Sequence, residues 1–364
     1  MTGDKSLPFR RAGPFSLLDG TLGTRIQFAA GPMGAAVDFC EGMTLPTIAI
    51  AFARVDLETT PNLHGSENDR TAAYYEAICV AYASVRRWNP QVALVLVTNE
   101  SPPRRYKGLL AEFAVETLIT PYTWLPPTVR FFRTSFYVLN AVQALAGRQL
   151  TVVIDPDVVC IRPLKLSWDD NAIGAYPLRH LPDEVINGLS RREAASLSAL
   201  LDGGEPYLAP HYGGECLAIP ANAAQAFLER CEIGWKLSLE HARKALPFFP
   251  TEEHLISYAL RRLAVKDLSP LVRRIWTGPR YRNVQGDEDQ LTLWHVPAEK
   301  QAGIATLWLA INDGRSWFWQ ADAPDFRIQA ARSLGIAPSF GRLFNRLGRR
   351  AKLTVSELRR KPRA

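Results

Sequence analysis

The stretch Val152-Val153-Ile154-Asp155-Pro156-Asp157-Val158-Val159-Cys160-Ile161-Arg162-Pro163-Leu164 bears most directly on the fold. Its β-branched apolar residues before Asp155 read as a buried strand that ends at an acidic loop, after which Val158 and Val159 resume the apolar run. Ligand sites of open parallel sheets lie at the carboxyl ends of the strands. Two carboxylates two residues apart on such a loop can approach one divalent cation. Oxygen ligands of this kind suit Mn²⁺ or Mg²⁺, which also bind phosphate oxygens.

Upstream of this strand, two more short apolar runs, 45–53 and 92–98, read as buried parallel strands. Between them Ala72, Ala73, Tyr75, Ala77, Ile78, Val80, Ala81 and Val85 recur at helical spacing and stop near Trp88-Asn89-Pro90. Strand, helix, strand is the opening of a doubly wound sheet. The pattern continues with a short strand at 114–120, a helix over 129–147 closed by Gly147, and the strand 150–155. Beyond it lie a strand at 172–176, a helix at 191–201, a strand at 216–220, and helices at 221–239 and 251–263. The expected fold is α/β and Rossmann-like, with a mixed, mostly parallel sheet flanked by helices. A single domain spans 43–320, between an irregular, Gly-rich lead-in (1–42) and a basic, partly helical tail (321–364). Ser316-Trp317-Phe318-Trp319-Gln320 reads as packing first and as the wall of an acceptor groove second.

With 364 residues and 47% hydrophobic content the chain can bury a large core. The net charge of +7 is a property of one end: from Gly341 to Ala364 nine lysines and arginines face Glu357 alone, and the rest is close to neutral. That balance argues against a nucleic-acid-binding surface. In the tail Leu343, Leu347, Ala351 and Leu358 fall on one helical face among arginines, a pattern that fits either a solvated end or peripheral contact with an anionic membrane. The five cysteines form no CxxC pair and sit largely in apolar runs, as buried thiols of a reducing compartment do. With no apolar run of the roughly 18–20 residues that span a bilayer and no secretory signal pattern, a soluble cytoplasmic protein is expected.

The strand, the DxD and the run ending in Arg162-Pro163-Leu164 resemble the DxD region of GT-A glycosyltransferases. The glycogenin-like and lipopolysaccharide galactosyltransferase-like group is closest in style, and the resemblance extends over 45–300. It implies metal-dependent transfer of a sugar from a nucleotide-sugar donor, UDP-sugar foremost, to a hydroxyl of a carbohydrate acceptor. By the same resemblance Arg130 and Arg133 lie on a helix facing the donor. Ala51, Ala53 and Arg54 end the first strand, and Thr98 and Asn99 end the second, near the base and ribose. The segment 211–220 is similar to the one beside the acceptor, with Gly213-Gly214-Glu215 in place of the usual residues. Glu215 is there a catalytic base if configuration inverts, or an acceptor-orienting group if it is retained. Glu252 and Glu253 open a later helix where the family has an acidic Asp-Gln segment; a helix N-terminus also favours acidic residues without any catalytic role. His295 is implied as third metal ligand and Lys300 as a diphosphate contact, although the family's glycine between them is missing and the spacing is one residue short.

Two other readings compete. Asp155-Pro156-Asp157-Val158-Val159 also fits the signature of haloacid-dehalogenase-like phosphatases, in which the first Asp is the nucleophile, and Gly286-Asp287-Glu288-Asp289 is the available second acidic motif. A non-catalytic domain of the same fold, binding carbohydrate or a membrane, is the other.

Overall fold

The computed structural model describes residues 45–337, apart from 56–62, 64–65, 128–130 and 169–170. The lead-in 1–42, Cys40, Arg130 and the basic stretch 341–364 therefore lie outside the described residues. Among those described, no helix is long and apolar enough to cross a membrane.

The strands in chain order are β1 (Thr47–Phe52), β2 (Ala93–Thr98), β3 (Val115–Ile119), β4 (Leu150–Ile154), β5 (Val158–Cys160) and β6 (Ile173–Leu178). There follow β7 (Val185–Ile186), β8 (Leu189–Ser190), β9 (His211–Pro220), β10 (Val265–Asp267), β11 (Val272–Arg274) and β12 (Leu293–His295). Seven of them make one sheet in the order β10-β6-β9-β4-β1-β2-β3. β1 pairs in parallel with β2 and β4, β2 with β3, and β6 with β10, while β9 runs antiparallel to both its neighbours. The sheet is thus mixed and mostly parallel, as the sequence predicts. β11, β12 and β5 form a small second sheet, and β7 and β8 a hairpin.

The helices are α1 (Glu67–Trp88), α2 (Arg104–Glu112), α3 (Tyr137–Leu145), α4 (Arg191–Asp202), α5 (Ala221–Arg243), α6 (Glu252–Leu260), α7 (Gly303–Ile311), α8 (Trp317–Gln320) and α9 (Ala323–Ser333). α1 begins at a capping box in which Ser66 and Asp69 satisfy each other's backbone donors. The central strands read as unbroken apolar runs because both faces are covered. Ile48, Ile50, Phe52, Leu94, Leu96, Val152 and Ile154 point into one core with α1, α2, α7 and α9. Ala49, Ala53, Val95, Val97 and Val153 alternate into the other, with α3, α5 and α6.

Three expectations are corrected. The helix expected over 129–147 is confined to Tyr137–Leu145, with Ala146 as its cap. Upstream, the Phe131 and Phe136 rings pack 5.8 Å and 5.0 Å from that of Trp235, and the Phe132 N–H donates to the Pro250 carbonyl at 3.1 Å. These tertiary contacts hold Phe131–Phe136 in turns against its own helical period. The strand at 216–220 is longer, running from His211 and taking in Gly213 and Gly214. Packing also passes the boundary drawn at 320: α9 buries Phe326 and Ala330 in the same core as α1, and Leu334 follows. Phe318 of α8 is likewise fully buried, so 316–320 packs. Cys79, Cys160, Cys216 and Cys231 are buried free thiols, as expected.

α5 and α6 meet at Gly234, where a methyl group would stand 2.6 Å from Leu255 Cδ1 and 2.8 Å from Tyr258 Cδ1. Gly234→Ala should lower stability by about 1–3 kcal/mol through overpacking, against roughly 1 kcal/mol of helix propensity gained. Gly108→Ala in α2 meets open space and should raise it by about 0.5–1 kcal/mol. Urea unfolding of the two variants checks both signs.

Candidate functional site

The order of the large sheet reverses between β4 and β1, the place where a doubly wound sheet leaves a crevice at its carboxyl edge. Asp155 follows the last residue of β4, and its backbone N–H donates to the Glu215 carbonyl of β9 at 3.2 Å. Pro156 and Asp157 turn the chain, closed by the Val158 N–H on the Asp155 carbonyl at 3.2 Å. The register of β5 against β12 sets Val158 opposite His295, and the Val296 N–H donates to the Asp157 carbonyl at 3.0 Å. Residues about 140 positions apart in sequence are thereby locked side by side.

His295 Nε2 lies 3.4 Å from Asp155 Oδ2 and 3.4 Å from Asp157 Oδ2. Together the three side chains form a cluster of the size that holds a metal ion. The separations are long for hydrogen bonds. They are close to the roughly 3 Å between adjacent ligands of an octahedral ion with bonds near 2.1 Å. Two carboxylate oxygens and an imidazole nitrogen are a donor set that Mn²⁺ or Mg²⁺ accepts. The residues therefore fit such an ion.

Charge around this cluster is compensated pair by pair. Asp157 is buried, and the Lys300 ammonium is bonded to its Oδ2. Burial raises the Asp157 carboxyl, but Lys300 and His295 outweigh it and hold it far below the usual range. Burial alone would depress His295; Asp157 and Glu215 instead push it up to about 9. Asp155, with 43% of its side chain exposed, is shifted upward by partial desolvation and by the nearby carboxylates. Glu215, fully buried, receives Arg274 Nε at 2.8 Å and Nη2 at 2.7 Å, and the same Nη2 reaches Glu253. Burial opposes ionisation of both glutamates, and Arg274 reverses it. Among the described residues Glu252 has no such ion pair: burial and the Glu253 charge push its carboxyl up to about 8.

A cleft of about 220 Å³ opens beside the cluster. Its walls include Ala51 and Phe52 of β1, Ala53 just beyond it, Tyr74, Asp155 and Asp157, Ser135, Glu252 and Lys300. Of the three glutamates expected to be catalytic, Glu252 alone lines it. Glu215 and Glu253 are tied up in the interior by Arg274, which removes Glu215 as a base facing an acceptor. Expected donor contacts also divide. Asn99 spends its side chain on the Arg54 backbone, accepting from N at 2.8 Å and donating to O at 2.9 Å. Thr98 is fully buried beside the Tyr75 hydroxyl. Arg54 is paired with Glu67 and Glu100, each at 3.2 Å. Arg133 donates from Nε to the Pro126 carbonyl at 3.2 Å, and its neighbours Thr134 and Ser135 face the cleft instead. Lys300 lines the cleft and is bonded to Asp157. Sequence reading missed Arg274, which sits in Val272-Arg273-Arg274 with no motif around it; the unpaired acid in Gly213-Gly214-Glu215 was the one hint of a buried cation.

No protein-family model and no curated protein matches the chain. Among solved structures it is similar to the apo bifunctional glycosyltransferase WbbM, with 10% identity over 72% of this chain and a TM-score of 0.45. This match spans 47% of WbbM, about half its length. It is similar also to the galactosyltransferase LgtC in complex with donor and acceptor sugar analogues, with 14% identity over 81% of this chain and 99% of that one and a TM-score of 0.44. A third is mouse xyloside xylosyltransferase 1, at 11% identity over 69% and 97% of the two chains and a TM-score of 0.41. Likeness at this level leaves the activity to be read from the chain's own site.

Lys300→Met would strip Asp157 of its ammonium partner in the interior. We expect a loss of about 3–5 kcal/mol at neutral pH. Because the folded Asp157 carboxyl is held below its unfolded value, its contribution is present above that value and lost as pH falls. The gap between wild type and variant should therefore be full at pH 8 and narrow as pH drops below about 4. Urea unfolding at several pH values would measure it, and a gap that widened in acid would contradict the pairing.

Proposed function

We propose that this chain is a metal-dependent glycosyltransferase that takes a nucleotide-sugar, a UDP-sugar foremost, and passes the sugar to a hydroxyl of a carbohydrate acceptor. The observation that carries this reading is the Asp155–Asp157–His295 cluster at the carboxyl edge of β4, opening on a cleft beside β1. Asp155, Asp157 and His295 would hold Mn²⁺ or Mg²⁺, which when bound supplies positive charge for a leaving diphosphate. The choice of sugar chemistry rests on the resemblance in the DxD region; the site's own chemistry supports a diphosphate.

The chain's residues contribute in distinct ways. Ala51 and Ala53 line the β1 side of the cleft together with Phe52 and Tyr74, the side assigned to the nucleoside. Lys300 places a second cation at the cleft wall, where it offsets Asp157 and adds to the attraction for a diphosphate. Glu252 supplies the carboxyl that meets the acceptor side. With a pKa near 8 it is a hydrogen-bond donor at neutral pH, and once ionised it can take a proton from an acceptor hydroxyl. The phosphatase reading loses its second acidic motif, because Asp287 is an exposed partner of Arg273 and Gly286–Asp289 does not line the cleft.

Calorimetric titration of UDP, GDP and CMP with and without Mn²⁺ tests the proposal. Binding of one nucleotide that requires Mn²⁺ and disappears in Asp155→Ala/Asp157→Ala is expected; no binding by the folded wild type would overturn it. With a donor identified, Glu252→Gln should lower kcat roughly 10²–10⁴-fold and leave nucleotide affinity unchanged. The wild-type rate should rise with pH toward 8 as Glu252 ionises, and that slope should vanish in the variant.

A further inference from the structure

We infer that Arg274 is a positioning residue of the metal site, acting on His295 through Glu215; the inference rests on the metal-dependent reading above. Arg274 and His295 are register partners on β11 and β12, and the Ile275 N–H donates to the His295 carbonyl at 2.7 Å. The Arg274 backbone is itself clamped: Asn283 donates to its carbonyl at 2.9 Å and accepts from the Trp276 N–H at 2.7 Å. From this anchored strand the guanidinium grips both oxygens of Glu215. Glu215 Oε1 then stands 3.4 Å from His295 Nδ1, a buried nitrogen that has no hydrogen-bond partner among the described residues, so the carboxylate acts on it through its charge. A carboxylate beside Nδ1 favours keeping the proton there, so that Nε2, the atom facing Asp155 and Asp157, is the one that gives up its proton to a metal.

Two further features show that the arrangement is built. Gly213 is required for it, because a Cβ at that position would lie 1.7 Å from Glu215 Oε2 and 2.9 Å from Arg274 Nη2. The guanidinium also neutralises Glu253, and among the described residues the adjoining Glu252 of the first turn of α6 has no ion pair of its own. One planar, two-pronged cation thus orients the histidine ligand and separates the two glutamates of α6. A lysine has a single point charge and cannot present that fork.

Mn²⁺ binding to the full chain, read by electron paramagnetic resonance of the free ion, tests this without any donor or acceptor. Arg274→Lys and Glu215→Gln should each weaken Mn²⁺ about 10–100-fold, as loss of a partner behind a metal-binding histidine does elsewhere. Arg274→Met/Glu215→Gln/Glu253→Gln leaves no uncompensated charge in the interior. It should unfold thermally near the wild type and still bind Mn²⁺ weakly, which separates positioning from support of the fold. Wild-type Mn²⁺ affinity in Arg274→Lys and Glu215→Gln, or in the folded triple variant, would overturn the inference and leave the metal reading standing. A wild type that binds no Mn²⁺ would instead sink the metal reading and this inference with it.

Discussion

Of the buried carboxylates among the described residues, those of Asp157, Glu215 and Glu253 gather around the acidic loop, and the structure there is organised by the need to neutralise them. The others, Glu288 and Glu299, are met by backbone and hydroxyl donors. An ionised carboxylate without a partner is not tolerated in a protein interior. Lys300, Arg274 and His295 answer that need, and all three come from the last third of the described chain, on β11, β12 and the turn behind them. The small β11-β12-β5 sheet is therefore more than an appendage. By pairing with the strand that follows the acidic loop, it carries the compensating groups to the edge of the large sheet.

The same pairing divides the acidic groups by role. Carboxylates supplied with a cation are held ionised deep in the structure, whereas Glu252, next in sequence to Glu253, is pushed up to about 8 at the cleft. Two adjacent glutamates on one helical turn are thus shifted in opposite directions because one faces Arg274 and the other does not. Environments that separate the pKa values of neighbouring acids are a common way of assigning acid and base roles. Gly214 belongs to this arrangement: a methyl there would come within 3.1 Å of Glu252 Oε1 and would press on the carboxyl.

Much of the fold was legible in local pattern. The runs at 45–53, 92–98 and 150–155 are strands because both faces of the central sheet are covered, which makes them continuously apolar. α1 was legible because its apolar positions, Ala72 to Val85, recur at helical spacing over about four turns. The helix over 129–147 was overextended for a corresponding reason: its apolar residues fit a helix, but Phe131 and Phe136 are bound to Trp235 by tertiary packing. α9 was read as tail because its sequence neighbours the basic end, and burial of Phe326 and Ala330 depends on a core built elsewhere in the chain.

By itself the sequence determined the alternating α/β plan and the acidic loop at the end of a buried strand, since both follow from short-range hydrophobic period and from residue type. It also offered the set of side chains from which a cation site can be made. Only the tertiary structure decided which members of that set meet. It put Asp155, Asp157 and His295 together, turned Asn99 to the Arg54 backbone, and enlisted Arg274, which no motif marks. The physical reason is that these choices are settled by strand register and by pairing of buried charge. Both act between residues tens to well over a hundred positions apart, beyond the reach of any local period.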